Sequence, residues 1–318
     1  MIKIEGRNGI SVTVLADSLS ENGKRLTTFE LEYHRMIHAE ALTHRVTSRN
    51  ASSSRAVPLQ KAIQNIRENP AFPVHWGAAQ NGMQADEEIS GETLEQAKLL
   101  WQKGIDQSID LVNEFDKLGV HKQIAARWLE TCQMIKVIKT ATDWDNLLWL
   151  RNDVSSQPEF KELAGCIQEA MDQSIPQKLA YGEWHLPFIK TERDDAGIMF
   201  YIDSSGGVLT LEEALKISAS CAAQVSFRKL NDSKEKALEI YEKLFSGPKL
   251  HMSPTEHQGT PIHSTSVNVP WNPSTWQDGV THVTRNGGLH SGNFDGFIQF
   301  RQTLKDNVFT KCSHLSSK

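Results

Sequence analysis

Between Thr43 and Arg55 the chain reads Thr-His-Arg-Val-Thr-Ser-Arg-Asn-Ala-Ser-Ser-Ser-Arg: three arginines, a histidine, an asparagine and four serines, without a carboxylate. Such a window is poor core material, because buried guanidinium groups must be paired and hydrogen-bonded. It is well suited to phosphate, since arginine offers a planar fork of donors and serine and asparagine add shorter ones. On a helix, Arg45, Ser48, Ser52 and Arg55 would share one face. The residues alone imply an anion site for a ligand with more than one phosphate. A solvated loop, a kinase target or a nucleic-acid arm would have a similar composition. The flanks argue against these, because ordered elements clamp the window on both sides. Phe29-Glu30-Leu31-Glu32-Tyr33 and Met36-Ile37 enter a core as strand or helix, and Pro58 opens a helix with Leu59, Ile63 and Ile66 on one side.

The elements that must hold this window read as α+β, with helices dominating the middle of the chain. Thr93-x-x-Gln96 has the form of a capping box, and Leu94, Ala97, Trp101, Ile105, Ile109 and Val112 make a helical stripe ending at Gly119. That stripe is core packing. Further helices are expected over about 121–141, 157–172, 210–223 and 232–245. Asn69 to Glu87, rich in glycine and proline, reads as a long loop, and 186–210 as turns joining short strands such as Ile198–Ile202.

His44-Arg45-x-x-Ser48-x-Asn50-x-x-Ser53-x-Arg55 resembles the signature of the flavin-dependent thymidylate synthases, Arg-His-Arg-x-x-Ser-x-Asn-Glu-x-Ser-x-Arg-Tyr, and is closer still to a divergent phage and bacterial branch. Further segments are similar to that family: Gly119–Arg127, Asp143–Arg151 followed by Gln157-Pro158-Glu159, Ala223-Gln224-Val225-Ser226-Phe227, and Met252–His257. In the usual order the last two precede the arginine-rich motif; here they follow it, so the chain resembles a circular permutation, which is tolerable where termini lie close together. The resemblance runs from about Thr27 to Arg301. It implies one domain over 1–318, with motif segments 27–160 and 217–301, and a mixed or antiparallel sheet with a large helical portion.

The activity implied is reductive methylation of dUMP at C5, with methylenetetrahydrofolate as one-carbon donor and NADPH reducing bound FAD. By position, His44 and Arg45 match the pair facing FAD, and Asn146, Ser226 and His257 match flavin contacts. Ser53 and Arg55 match the grip on the nucleotide phosphate, and Arg127 and Arg151 match arginines reaching the nucleotide, with Arg151 polarising the pyrimidine edge. Ser53, Arg55 and Arg151 are thus the expected catalytic set, and Glu40 stands where the family often has glutamine near the nucleotide. Arg49, Ser52 and Ser54 fall between motif positions and receive no role. The family needs no protein nucleophile, and it builds its sites at subunit boundaries of a homotetramer.

Departures keep other outcomes open. Thr43 replaces an arginine, Ala51 a glutamate, Ala56 a tyrosine, Ser155 a histidine and Gln224 an arginine. One alternative is a C5 hydroxymethylase or a dCMP-directed enzyme on the same scaffold; another is a non-catalytic nucleotide- or RNA-binding homologue. The net charge of −5 argues against a general nucleic-acid binder. Cys132, Cys166, Cys221 and Cys312 form no CxxC pair, and neither a metal site nor a disulfide framework is expected. The first residues lack an apolar signal region and no run would span a bilayer, so the expectation is a cytoplasmic protein without a membrane partner.

Overall fold

The structure, a computed structural model, describes residues 2–226, 230–245, 250–263 and 272–308, apart from the Ser226 side chain. Phe227 and Cys312 lie outside the described residues. Strands β1 (Lys3–Glu5), β2 (Ser11–Ser20) and β3 (Arg25–His34) open the chain as an antiparallel set. Alternating Val12, Val14, Phe29, Leu31 and Tyr33 bury one face, and Gly23, at φ +76°, supplies the left-handed residue of the β2–β3 turn. Next come α1 (His38–Ala41), β4 (Ser48–Ala51), α2 (Leu59–Glu68), α3 (Gly91–Lys117) and α4 (Lys122–Ala125). They are followed by β5 (Met134–Ala141), α5 (Asp145–Arg151), α6 (Pro158–Gln173) and β6 (Gln177–Leu179).

The main sheet has the order β1-β2-β3-β5-β4, antiparallel along that path, with β6 added parallel to β2. The arginine-rich window therefore does not form a helix. It turns after α1 and becomes the edge strand β4, so Arg45, Ser48, Ser52 and Arg55 do not share a helical face. The expected helix over 121–141 is also corrected. One short α turn and a 3-10 stretch (Ala126–Cys132) lead into β5, where the β-branched run Ile135, Val137, Ile138, Thr140 pairs with β3 and, from Val137 on, also with β4. Thr93 caps nothing, since α3 begins at Gly91 behind Ser90.

The remaining helices follow their apolar stripes. β7 (Lys190–Arg193), β8 (Met199–Ile202) and β9 (Val208–Leu209) form an antiparallel meander that runs into α7 (Leu211–Ala223). Here a capping box does form, between Thr210 and Glu213. After α8 (Lys234–Phe245) come β10 (Gly259–Pro261), β11 (His282–Val283), β12 (Leu289–Ser291), β13 (Phe294–Asp295), β14 (Phe297–Gln299) and α9 (Phe300–Thr303). Asn69 to Ser90 is irregular apart from one bridge between Gly77 and Glu88.

One core lies between the sheet and α6, where Phe160, Leu163, Ile167 and Ala170 meet Phe29, Leu31, Ile135 and Val137. A second joins Leu26 to α7 and the β13–β14 aromatics, and a third joins α2, α3 and the 3-10 stretch. Each such side chain contributes about 1.5–3 kcal/mol on full burial. Trp144 stands edge-on to Phe29 with ring centres 5.0 Å apart and donates to the Ala141 carbonyl at 3.2 Å. That anchor fixes the start of α5, and with it the position of Arg151 at its end. Among the described residues no helix is long and apolar enough to cross a membrane.

Candidate functional site

Arg151 sits in the last turn of α5, the end at which the helix dipole favours a cation. Its Nε donates to Nε2 of His44 at 3.0 Å, its Nη1 donates to Oε2 of Glu40 at 2.9 Å, and its guanidinium lies 4.8 Å from the Phe160 ring centre. The aromatic floor and the two hydrogen bonds hold the fork in one orientation. Accepting at Nε2 requires His44 to be neutral with its proton on Nδ1. Burial, and then the charges of Lys139 and Arg151, hold the His44 pKa down to about 4, so the ring stays neutral at physiological pH. Phe160 meets His44 edge-on at 5.8 Å. Arg151, more than a hundred positions from Glu40 and His44 in sequence, therefore forms one cluster with them.

Ser53, Arg55 and Arg127 belong to a second cluster. Ser52 extends the pairing of β4 by exchanging hydrogen bonds with the Lys136 backbone, and the chain then turns so that the Arg55 amide donates to Ser53 Oγ at 3.3 Å. Glu130 links this turn to Arg127, accepting from Ser54 Oγ at 3.2 Å and from Arg127 at 2.6 Å. Ser53 lines a groove of about 1140 Å³ with Arg35, Ser52, Lys61 and Lys136, while Arg55 and Arg127 are exposed and do not line it.

The other expected residues are dispersed. Arg45 is exposed and lines a separate pocket of about 400 Å³ at the free edge of β4, with Arg49, Ser48, Asn293, Gln299 and Gln302. Asn146 is exposed on α5, and the Ser226 side chain lies outside the described residues. His257 is fully buried: its ring nitrogens meet Thr140 Oγ1 at 2.8 Å and the Asn50 amide at 3.4 Å, so its ring presents no accessible surface. The Arg45 pocket suits a diphosphate. It has two guanidinium groups, hydroxyl and amide donors, and one carboxylate, Glu256, already paired with Arg301. A volume near 400 Å³ takes a diphosphate but not a whole dinucleotide, so FAD fits here only by its phosphates, with Arg45 and Arg49 as the groups to hold them.

Lys139 escaped the sequence reading. It is only 2% exposed, and its ammonium donates to the Ala41 carbonyl at 3.3 Å. The signal was present: in a strand, Lys139 shares the phase of the core residues Ile135, Val137 and Ala141. Cys132, Cys166 and Cys221 are all buried, and burial pushes the Cys166 thiol up to about 11 and the Cys221 thiol up to about 12. These two are poor nucleophiles. Among the described residues, no cluster of three or more His, Cys, Asp or Glu side chains is arranged to hold a metal ion.

No protein-family model matches the chain, and no curated protein matches it. Among solved structures, the crystal structure of a UMP/dUMP methylase, PolB from Streptomyces cacaoi bound with 5-Br dUMP, is similar over 54% of this chain and 93% of that one. The identity is 15% and the TM-score 0.43, a likeness too slight to bear on function.

Proposed function

We propose that this protein is a flavin- and folate-dependent enzyme acting at C5 of a pyrimidine deoxynucleotide, converting dUMP to dTMP with methylenetetrahydrofolate and NADPH. The observation that carries the reading is the Glu40–Arg151–His44 cluster. Two segments that resemble separate motifs of the flavin-dependent thymidylate synthases converge there on one guanidinium. Arg151 presents its remaining N–H groups to the carbonyl edge of the pyrimidine, while Glu40 and His44 fix the plane of the fork. Ser53, Arg55 and Arg127 hold the nucleotide phosphate, and Arg45 holds the phosphates of FAD. FAD, once reduced, supplies the hydride that completes the methyl group. Phe160 closes the floor beneath Arg151 against water, and no cysteine takes part.

In this reading two copies of the chain complete each site. Ser53, Arg55 and Arg127 lie in a different cluster from Arg151, and Trp149 and Val154 flank Arg151 with 77% and 80% of their surface exposed. An Arg55→Ala protein and an Arg151→Ala protein are each expected to be inactive, and mixing them should restore part of the activity. A mixture as inactive as its components would place each site within one chain.

The deciding experiment incubates the purified protein with FAD, NADPH, methylenetetrahydrofolate and either dUMP or dCMP, and weighs the nucleotide product. Expected is dTMP from dUMP. A hydroxymethyl product, or conversion of dCMP alone, would replace this reaction by the alternative on the same scaffold. Unchanged nucleotides in the presence of bound flavin would overturn the reading.

A further inference from the structure

Arg49 and Lys139 face each other across β4 and β5, in direct register, and so project from the same face of the sheet. Like charges directly opposite on paired strands repel, and a lysine buried to this depth loses its hydration as well. A carboxylate between them would offset both costs, but among the described residues neither has one. Arg49 Nη1 donates to the Thr47 carbonyl at 3.2 Å, and Lys139 donates only to the Ala41 carbonyl. The groups around the two cations do not supply the missing charge. Arg49 comes from β4, Arg151 from α5, His44 from the turn after α1, His38 from α1 and Tyr33 from β3. Glu40, on α1, is already committed to Arg151.

Ala51 shares the Arg49 face of β4 and brings no charge. Arg49 also lines the Arg45 pocket, whose sole carboxylate is tied to Arg301. Arg49 thus stands at an opening that is rich in donors and poor in negative charge, and Lys139 lies buried opposite Arg49 in the sheet.

We propose that Arg49 and Lys139 form a phosphoryl-binding site, in which the oxyanion of a bound nucleotide or dinucleotide occupies the place of the missing carboxylate. Arg49 contacts the phosphoryl oxygens at the pocket wall, and Lys139, buried on the same face of the sheet, adds its charge beside it. Burial and the neighbouring arginines push the Lys139 pKa down to about 7, so the arriving anion also fixes the ammonium in its charged form. The inference deepens the function proposed above by naming the residues that hold its phosphates. It does not depend on the reaction catalysed.

The test is calorimetric titration of the full chain with inorganic pyrophosphate, FAD and dUMP, for wild type, Arg49→Gln and Lys139→Met. Each variant is expected to lose about tenfold to a hundredfold in pyrophosphate affinity, the scale of one charge-assisted hydrogen bond. Without ligand, Lys139→Met should melt no lower than wild type, because an uncompensated buried cation has been removed. If FAD affinity falls with that of pyrophosphate, the phosphoryl group is the flavin's; if dUMP affinity falls, it is the nucleotide's. If Lys139→Met fails to fold, Lys139→Gln and Arg49→Gln carry the comparison. Unchanged affinity for all three ligands would overturn the site, and so would a wild type that binds none of them. Pyrophosphate binding that depends on the pair, in a protein forming no C5-modified product, would leave the site standing and remove the reaction.

Discussion

Arg151→Lys is expected to lower kcat for dUMP conversion by about a hundredfold or more, while reducing stability by only about 1–2 kcal/mol. The asymmetry follows from what each side chain can reach. An ammonium is one point charge on a flexible stem, and it can keep the ion pair to Glu40 that now spans 2.9 Å. It cannot at the same time donate to His44 Nε2, lie flat over Phe160 and present further N–H groups to a carbonyl edge. With its donor gone, the neutral His44 ring is free to change tautomer, and the local geometry loosens on both sides. Stability moves little because Arg151 is part-exposed and water replaces the lost hydrogen bonds. Turnover moves far because positioning within an ångström governs rate. Steady-state kinetics and urea unfolding on the same preparation check both halves. Wild-type kcat in Arg151→Lys would make Arg151 a structural residue, whereas equal losses of kcat and stability would make it a fold determinant.

The parts of this arrangement that sequence reasoning reached are those with a strong local period or a long motif. α6, α7 and α8 announce themselves because their apolar residues repeat at helical spacing. β5 does not: Ile138 and Lys139 interrupt its alternation, and the preceding Ala125, Ala126 and Leu129 extend an apparently helical stripe into it. Only the two neighbouring strands that need its backbone decide the matter. Similarly, His44 and Arg151 are recognisable from their motifs, but nothing local pairs residues 107 positions apart. His257 is a site candidate in the sequence only through the resemblance of Met252–His257 to a family segment. Its burial comes from β3, β5 and the segment around His185, all distant along the chain. Arg49 and Lys139 show the converse: each is unremarkable alone, and their meaning lies in the register that sets them face to face.

Between pH 6.5 and about pH 3 the protein is expected to lose stability steeply, and the double variant His185→Gln, His257→Gln should flatten much of that slope. The two rings belong to one buried chain of hydrogen bonds. Ser18 meets His185 Nδ1 at 2.9 Å, His185 Nε2 meets Thr28 at 2.8 Å, Thr28 meets Thr140 at 2.8 Å, and Thr140 meets His257 Nδ1 at 2.8 Å. Turning the Asn50 amide so that its nitrogen donates to the Ser253 carbonyl, at 3.2 Å, also points that nitrogen at His257 Nε2. Donation then runs one way, from Asn50 to His257, Thr140, Thr28, His185 and Ser18, with both histidines neutral. A proton on either ring adds a donor where no acceptor exists. Burial accordingly holds both pKa values down to about 3, with His185 lowering that of His257 further. In the unfolded chain both rings take up protons near pH 6.5. The unfolded state therefore binds more protons throughout the window, and stability is fully present above pH 6.5 and falls as pH drops towards 3. Each pH unit within the window costs about 1.4 kcal/mol per histidine. Carboxylates add an acid loss of their own, so the difference in slope between wild type and the double variant is the quantity that isolates the rings. Urea unfolding at successive pH values measures it: the variant starts less stable at pH 7 and the two curves converge on acidification. Parallel curves would mean that the histidines take up protons in the folded state as readily as in the unfolded chain, and that the buried relay is not held neutral.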